Sequence, residues 1–168
     1  VKLDKNSLDS APRFRYVRGG FLSQPNYTFI LDLADPDLEK IGQATIEQEN
    51  DMLLAKAICD TSNSNTVTMV KNGYLIGNGV GQQARVRGAQ LAVSQIKFSG
   101  HDSAGAVASS DSFFPFTDGP EVLIKAGVKA IISTSGSVRD SDVKEICRKN
   151  NVILYLIPDS KARGFFGH

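Results

Sequence analysis

The 168-residue sequence has no tryptophan, two cysteines, two histidines and almost no net charge. Each scarcity removes a class of function. Cys59 and Cys147 are far apart and flanked by helix-like residues, so they read as reduced, semi-buried thiols of a cytoplasmic protein rather than a disulfide framework. No His-x-Glu and no Pro-Cys-x-x-Cys occurs, and two isolated cysteines do not build a zinc site, so no metal is expected. Nineteen basic residues against eighteen acidic ones leave a formal charge of +1. That balance argues against a nucleic-acid surface and against polybasic membrane binding. No apolar run approaches the roughly 20 residues that span a bilayer, and no signal peptide opens the chain. The first residue is Val1, which points to a piece of something longer.

What is present is enough apolar residue for one core, in a pattern of alternating strands and helices. Residues 1–13 are polar and without periodicity, as in an arm or linker, leaving 14–168 as the domain. Tyr16, then Phe21-Leu22 after Gly19-Gly20, suggest one extended segment kinked by glycines. Phe29–Leu33 reads as a second short strand. Thr45 with Gln48 three residues on is a capping-box pattern, and Glu47 and Glu49 suit a helix N-terminus. Met52, Leu53, Leu54, Ala57 and Ile58 are the expected core face of that helix.

Asn65–Val70 reads as a strand, and Asn72-Gly73 is a strong hairpin signal leading into a return strand over Tyr74–Gly77. The glycine-rich run Gly77–Gly81 then opens a helix whose Val86, Ala89, Val93 and Ile96 share a face. Such a turn either cradles an anion at the helix N-terminus or lets strand and helix approach closely. Residues 98–105 are a polar loop in which His101 is expected to be exposed. Pro120-Glu121 opens a helix running to Lys125-Ala126 and stopped by Gly127. Val128–Ser133 reads as a buried parallel strand, followed by the Ser135-Gly136-Ser137 loop, a helix to Asn150 and a strand over Val152–Ile157. That succession is a βαβ unit, with its loop at the carboxyl end of a strand, where open α/β sheets place ligands.

Between these elements lies Ser110-Asp111-Ser112-Phe113-Phe114-Pro115-Phe116-Thr117-Asp118. Proline does not sit inside a helix or a central strand, so the segment leaves a strand at Val107–Ser109 and crosses a surface or cleft. Its aromatic faces, with a carboxylate two residues beyond Phe116, suit a planar heteroaromatic ligand carrying N–H donors. From the residues alone, an aromatic plug closing the sheet end fits equally well.

The segment resembles the Ser-Asp-x-Phe-Phe-Pro-Phe-x-Asp signature of the aminoimidazole carboxamide ribonucleotide (AICAR) transformylases, usually fused to inosine monophosphate (IMP) cyclohydrolase. The run from Asn65 through the glycine turn to Arg85 resembles the same family, as does the Ser135-Gly136-Ser137 loop with Thr134 in place of proline. At the C-terminus, Phe166 and His168 match the family's ending. Gly164 stands where that ending usually has a basic residue, and Thr117 replaces the usual arginine.

The resemblance implies a cytidine-deaminase-like three-layer α/β domain, a mixed central sheet flanked by helices. It implies part of a formyltransferase that moves a formyl group from 10-formyltetrahydrofolate, the cosubstrate, to the 5-amino group of AICAR in purine (IMP) biosynthesis. Asn65, Arg85, Phe113, Pro115, Phe116, Asp118 and His168 are then nucleotide contacts, with Asn65, Arg85 and His168 supporting catalysis. Phe114, Ser135 and Gly136 are folate contacts. The family's Lys-His pair is absent from this sequence. The chain therefore resembles the second half of the catalytic region, completed by a Lys-His half or by a homodimer partner. The alternative is a non-catalytic purine-nucleotide and folate-binding module.

Overall fold

The structure is a computed structural model and describes residues 9–162. Its centre is a six-stranded mixed sheet in the order β3-β8-β7-β6-β4-β5. These strands are β3 (Glu39–Ile41), β4 (Val67–Lys71), β5 (Tyr74–Gly79), β6 (Val107–Ser110), β7 (Ala130–Ser135) and β8 (Ile153–Pro158). The inner trio β6, β7 and β8 is parallel, while β4 and β3 flank it antiparallel. Helices cover both faces, which gives the three-layer α/β architecture expected from the sequence. Among these residues no helix is long and apolar enough to cross a membrane.

One face carries α2 (Arg85–Phe98), α3 (Asp118–Lys125) and α4 (Asp140–Lys149). Their apolar sides close over Val67, Met69, Ala108, Ile131 and Leu154. Here the glycines act through close packing. A Cβ on Gly79 would lie 1.9 Å from the Gly88 carbonyl oxygen, and one on Gly77 would lie 2.5 Å from that of Ala92. Helix α2 thus sits directly on the backbone of β5, and the close approach expected of this glycine run is realised at Gly77 and Gly79.

The other face carries α1 (Ile46–Asp60) and the short α5 (Asp159–Ala162). The Thr45 capping box forms in both directions. The apolar face expected for α1 is corrected by the structure. Of Met52, Leu53, Leu54, Ala57 and Ile58 only Met52 is fully buried, and the buried side runs through Asp51, Met52, Ala55, Lys56, Cys59 and Asp60. Lys56 is 1% exposed, and its ammonium donates to Asp60 Oδ2 at 2.7 Å and to the Ala162 carbonyl at 3.1 Å. Tyr27 donates its hydroxyl to the same Oδ2 at 2.8 Å. A buried ion pair is therefore the centre of the interface.

Two further expectations change. Phe29–Leu33 alternates inward and outward, yet it is not a strand. Phe29, Leu31 and Leu33 pack against the α1-side core, while the sheet edge beside β8 is taken by Glu39–Ile41. The extended segment expected around Gly19-Gly20 is instead a two-stranded antiparallel hairpin, β1 (Arg13–Val17) with β2 (Gly20–Gln24). Gly19 has φ +84°, a conformation that reverses the chain and that glycine adopts without strain. The Asn72-Gly73 hairpin forms as expected, with φ 54° and 76° at its two central residues. Such a turn matches strand twist. Its N–H groups are held by the Asp51 carboxylate at 2.8 and 2.7 Å.

Candidate functional site

In this sheet the carboxyl ends of β6, β7 and β8 meet along one edge. The antiparallel pairing of β4 brings its amino end to the same edge, with Val67 opposite Ser110 and Gly79. Residues far apart in sequence therefore gather there: Asn65 before β4, Arg85 at the start of α2, the Ser110–Phe116 crossing from the end of β6, and Ser135-Gly136 at the end of β7.

Asn65 joins two loops. Its side-chain amide donates to the Gln82 carbonyl at 2.8 Å, and its backbone N–H and carbonyl pair with Gln82 at 3.1 and 3.0 Å. This ladder fixes the turn that launches α2 and so fixes Arg85. The Arg85 side chain is only 9% exposed. Its Nε donates to Ser110 Oγ at 2.8 Å, Nη1 to the Phe113 carbonyl at 3.0 Å and Nη2 to Asp111 Oδ1 at 3.1 Å. The guanidinium fork holds three acceptors spread over four residues, which a flexible ammonium would not do. Asp111 in turn accepts from the Thr66 N–H at 3.0 Å and from the Ser64 hydroxyl. A cation at a helix N-terminus is disfavoured by the dipole, and the buried Asp111 is what offsets it here.

The aromatic segment divides by residue. Phe113 and Pro115 are half-buried, and Phe116 stands 60% exposed on the surface. Phe114 is 2% exposed and belongs to the core, with its ring under Gly119, where a Cβ would lie 2.8 Å from Phe114 Cδ1. Phe114, expected among the folate contacts, thus packs inward and presents no face to a ligand. Asp118 is exposed at the first turn of α3, and its Oδ1 accepts from the Gly119 N–H at 2.8 Å. Phe114 is thus a core plug, while Phe116 is an exposed ring.

On the neighbouring loop, Ser135 is half-buried and Gly136 exposed. Gly136 has φ +126°, a region in which side-chain-bearing residues are strained. Its N–H donates to Asp140 Oδ2 at 2.7 Å. Three residues at this edge carried no expectation. Ser64 and Ser112 belong to the polar frame of the aromatic segment, and Asp159, buried at the end of β8, accepts from Ser112 and Thr134. Asp159 follows the strand Val152–Ile157 expected from sequence, so its place at a carboxyl strand end was a signal that was available.

His101 follows α2 at the opposite edge of the sheet. A helix of 14 residues, at about 1.5 Å per residue, separates it from the edge where Arg85 lies. Phe166 and His168 lie outside the described residues. Burial pushes the Cys59 thiol up to about 12, with Asp111 and Asp60 adding negative potential, and pushes Cys147 up to about 11. Neither is an activated nucleophile. Among the described residues no group of three His, Cys, Asp or Glu side chains is placed to hold a metal ion.

Residues 1–95, more than half of the chain, match the family model described as the AICARFT/IMPCHase bienzyme. The chain belongs to this family. Its relatives include the bifunctional purine biosynthesis protein PurH of Mycobacterium marinum, 46% identical over 153 residues, covering 88% of this chain and 28% of the relative. The PurH proteins of Cutibacterium acnes and Aquifex aeolicus are 37% and 33% identical, covering 90% and 82% of this chain. The chain spans less than a third of these relatives, 29% and 27% of their lengths. Among solved structures, RibD of Acinetobacter baumannii is similar at a TM-score of 0.47 and 18% identity, covering 66% of this chain and 36% of that one. A dCMP deaminase from cyanophage S-TIM5, in complex with dCMP and dUMP, is similar at 0.46 and 17%, covering 68% and 100%.

Proposed function

We propose that this chain supplies the second half of an AICAR transformylase site in purine biosynthesis. The observation that carries the reading is the convergence at one sheet edge of Asn65, Arg85, Phe113, Phe116 and Ser135-Gly136, on a chain whose family and aromatic motif both point to that chemistry. Phe113 and the exposed Phe116 would flank a heteroaromatic ring. Asp118 would accept a ligand N–H, and Pro115 would stiffen the segment between the rings. Asn65 and Arg85 would act partly through others, by holding the segment from behind. Ser135 and Gly136, beside Phe113, would border the 10-formyltetrahydrofolate, which supplies the formyl group.

The nucleotide's 5-amino group is a weak nucleophile because its lone pair is delocalised into the ring and carboxamide. Attack on the formyl carbon therefore needs a base for the departing proton and donors for the tetrahedral oxyanion. His101 lies at the far edge, beyond the length of α2 from Arg85, and would be poorly placed to serve as that base. The Lys-His pair that would serve is not in this sequence, so the base comes from another segment or subunit, with His168 the remaining histidine of this chain. The residues described here bind and orient, and they shield one side of the reacting centre from water.

The test is formyl transfer by the purified chain, alone and mixed with a separately produced Lys-His half, alongside calorimetric titration of AICAR. Transfer only on mixing is the expected result. Loss of nucleotide affinity in Phe116→Ala is expected too, and unchanged affinity would remove the ring-flanking role. Nucleotide binding without transfer in any mixture would favour the non-catalytic binding module instead.

A further inference from the structure

The aromatic segment and the Ser135-Gly136 loop leave neighbouring parallel strands, yet a shared function requires them to hold a fixed distance beyond the last ladder hydrogen bond. Asp159 lies at that junction. Its Oδ1 accepts from Ser112 Oγ at 2.7 Å and from the Thr134 hydroxyl. Ser112 immediately precedes Phe113, and Thr134 immediately precedes Ser135-Gly136. All three polar residues are buried, so these hydrogen bonds have little competition from water. Gly136 lies close to both: a Cβ placed on it would be 3.6 Å from Asp159 Cβ and 3.9 Å from Phe113 Cδ1. One oxygen atom thus joins the ends of β6 and β7 to the end of β8.

We propose that Asp159 is a positioning residue that sets the spacing between the ring-bearing segment and the Ser135-Gly136 loop, and thereby couples the nucleotide and folate halves of the site. The ligand assignment rests on the function proposed above, whereas the coupling of the two loops does not. Because Oδ1 serves both hydroxyls, the two loops move together when the carboxylate is lost and separately when one hydroxyl is lost. Asp159→Asn keeps an acceptor oxygen in the same place.

Two measurements on the whole chain separate the inference from the function it extends. Amide hydrogen exchange without ligand is read over residues 112–117 and 135–139, with β4 and α2 as internal references. Asp159→Ala is expected to accelerate both segments at least tenfold. Ser112→Ala should accelerate only the first and Thr134→Val only the second, and Asp159→Asn should restore both to within about threefold of the parent. Acceleration spread evenly over β4 and α2, or no change in either single-hydroxyl variant, would overturn the coupling. In the second measurement AICAR and 10-formyltetrahydrofolate are titrated separately. Ser112→Ala is expected to weaken the nucleotide selectively, Thr134→Val the folate selectively, and Asp159→Ala both by roughly tenfold. If the parent chain binds neither ligand, the proposed function fails while the exchange result still decides the role of Asp159. If both ligands bind and all three variants bind them like the parent, the positioning role is wrong.

Discussion

The two faces of the sheet are built on opposite principles. On the side of α2, α3 and α4 the contact is apolar, and glycines let a helix rest on strand backbone. On the side of α1 the contact is centred on a buried ammonium, a buried carboxylate and a tyrosine hydroxyl, with Phe29, Leu31 and Leu33 laid over its edge as a strap. Apolar packing needs only the right volume and is tolerant of small repacking. A buried ion pair needs every partner, because each charge left alone carries its full desolvation cost. The first face is therefore rigid by shape and the second by chemistry. The strap side also leaves a cleft of about 690 Å³ between Tyr27, Phe29, Ile30, Leu53 and Lys56.

The largest effect that would test this contrast is at Lys56. Lys56→Met strands the Asp60 carboxylate and should cost about 4 kcal/mol in urea unfolding. Adding Asp60→Leu should recover most of that loss. If the single and double variants were equally destabilised, the pair would not be what organises the face. The single variant should also respond to acid. Burial already raises the Asp60 carboxyl above its usual range, and Lys56 opposes the rise. A raised carboxyl means that the folded state binds the proton more tightly. Stability then falls as pH rises through the interval between the unfolded and folded values, and it recovers on acidification. Removing Lys56 should widen that interval upward.

On the opposite face, Gly79→Ala should cost about 3 kcal/mol, since the added methyl meets the Gly88 carbonyl rather than a movable side chain. A cost below about 0.5 kcal/mol would mean that α2 can lift from β5. A smaller effect is expected from the thiols. With Cys59 pushed up to about 12 against an ordinary 9.0, the unfolded chain loses that proton first. Stability should thus decline by about 1.4 kcal/mol per pH unit above pH 9. Cys59→Ala should flatten the decline, and unchanged curvature would place its source elsewhere, Tyr27 included. Smallest of all is Phe116→Ala. Its ring is exposed, so unfolding stability should stay within about 0.5 kcal/mol, whatever happens to ligand affinity.

The legible parts of the fold share a physical cause. The Asn72-Gly73 turn, the Thr45 capping box and the stop at Gly127 are local geometries imposed by a few neighbouring residues, so sequence carries them whole. β7 and β8 were legible because a parallel strand buried on both faces must be a continuous apolar run. The face of α1 was not legible. The expected apolar face left out Lys56 and Asp60, whose burial is made tolerable by partners far away in sequence, Tyr27 at 33 positions from Asp60 and the Ala162 carbonyl at 106 from Lys56. Phe29–Leu33 carries a strand's alternation but found no free edge, because Glu39–Ile41 occupies it.

At the candidate site the same division holds. The residues of the aromatic segment and their likeness to a family motif were present in sequence, as was a carboxyl strand end for the Ser135-Gly136 loop. Which ring points out and which points in was not, because Phe114 and Phe116 differ only in what the fold sets beside them: Gly119 and the apolar core for one, open surface for the other. Arg85 likewise was expected to face the nucleotide, and only the fold brings Ser110, Asp111 and Phe113 to its three nitrogens.

The sequence by itself determined the strand and helix order from α1 to β8, the Asn72-Gly73 turn, the family motif and the lack of a Lys-His pair, since these depend on neighbours within a few residues or on composition alone. Only the tertiary structure decided which charges are buried, which aromatic stands exposed, and that Asp159 joins two loops. The polar contacts behind these outcomes join residues 25 to 106 positions apart, and no local pattern encodes such a distance.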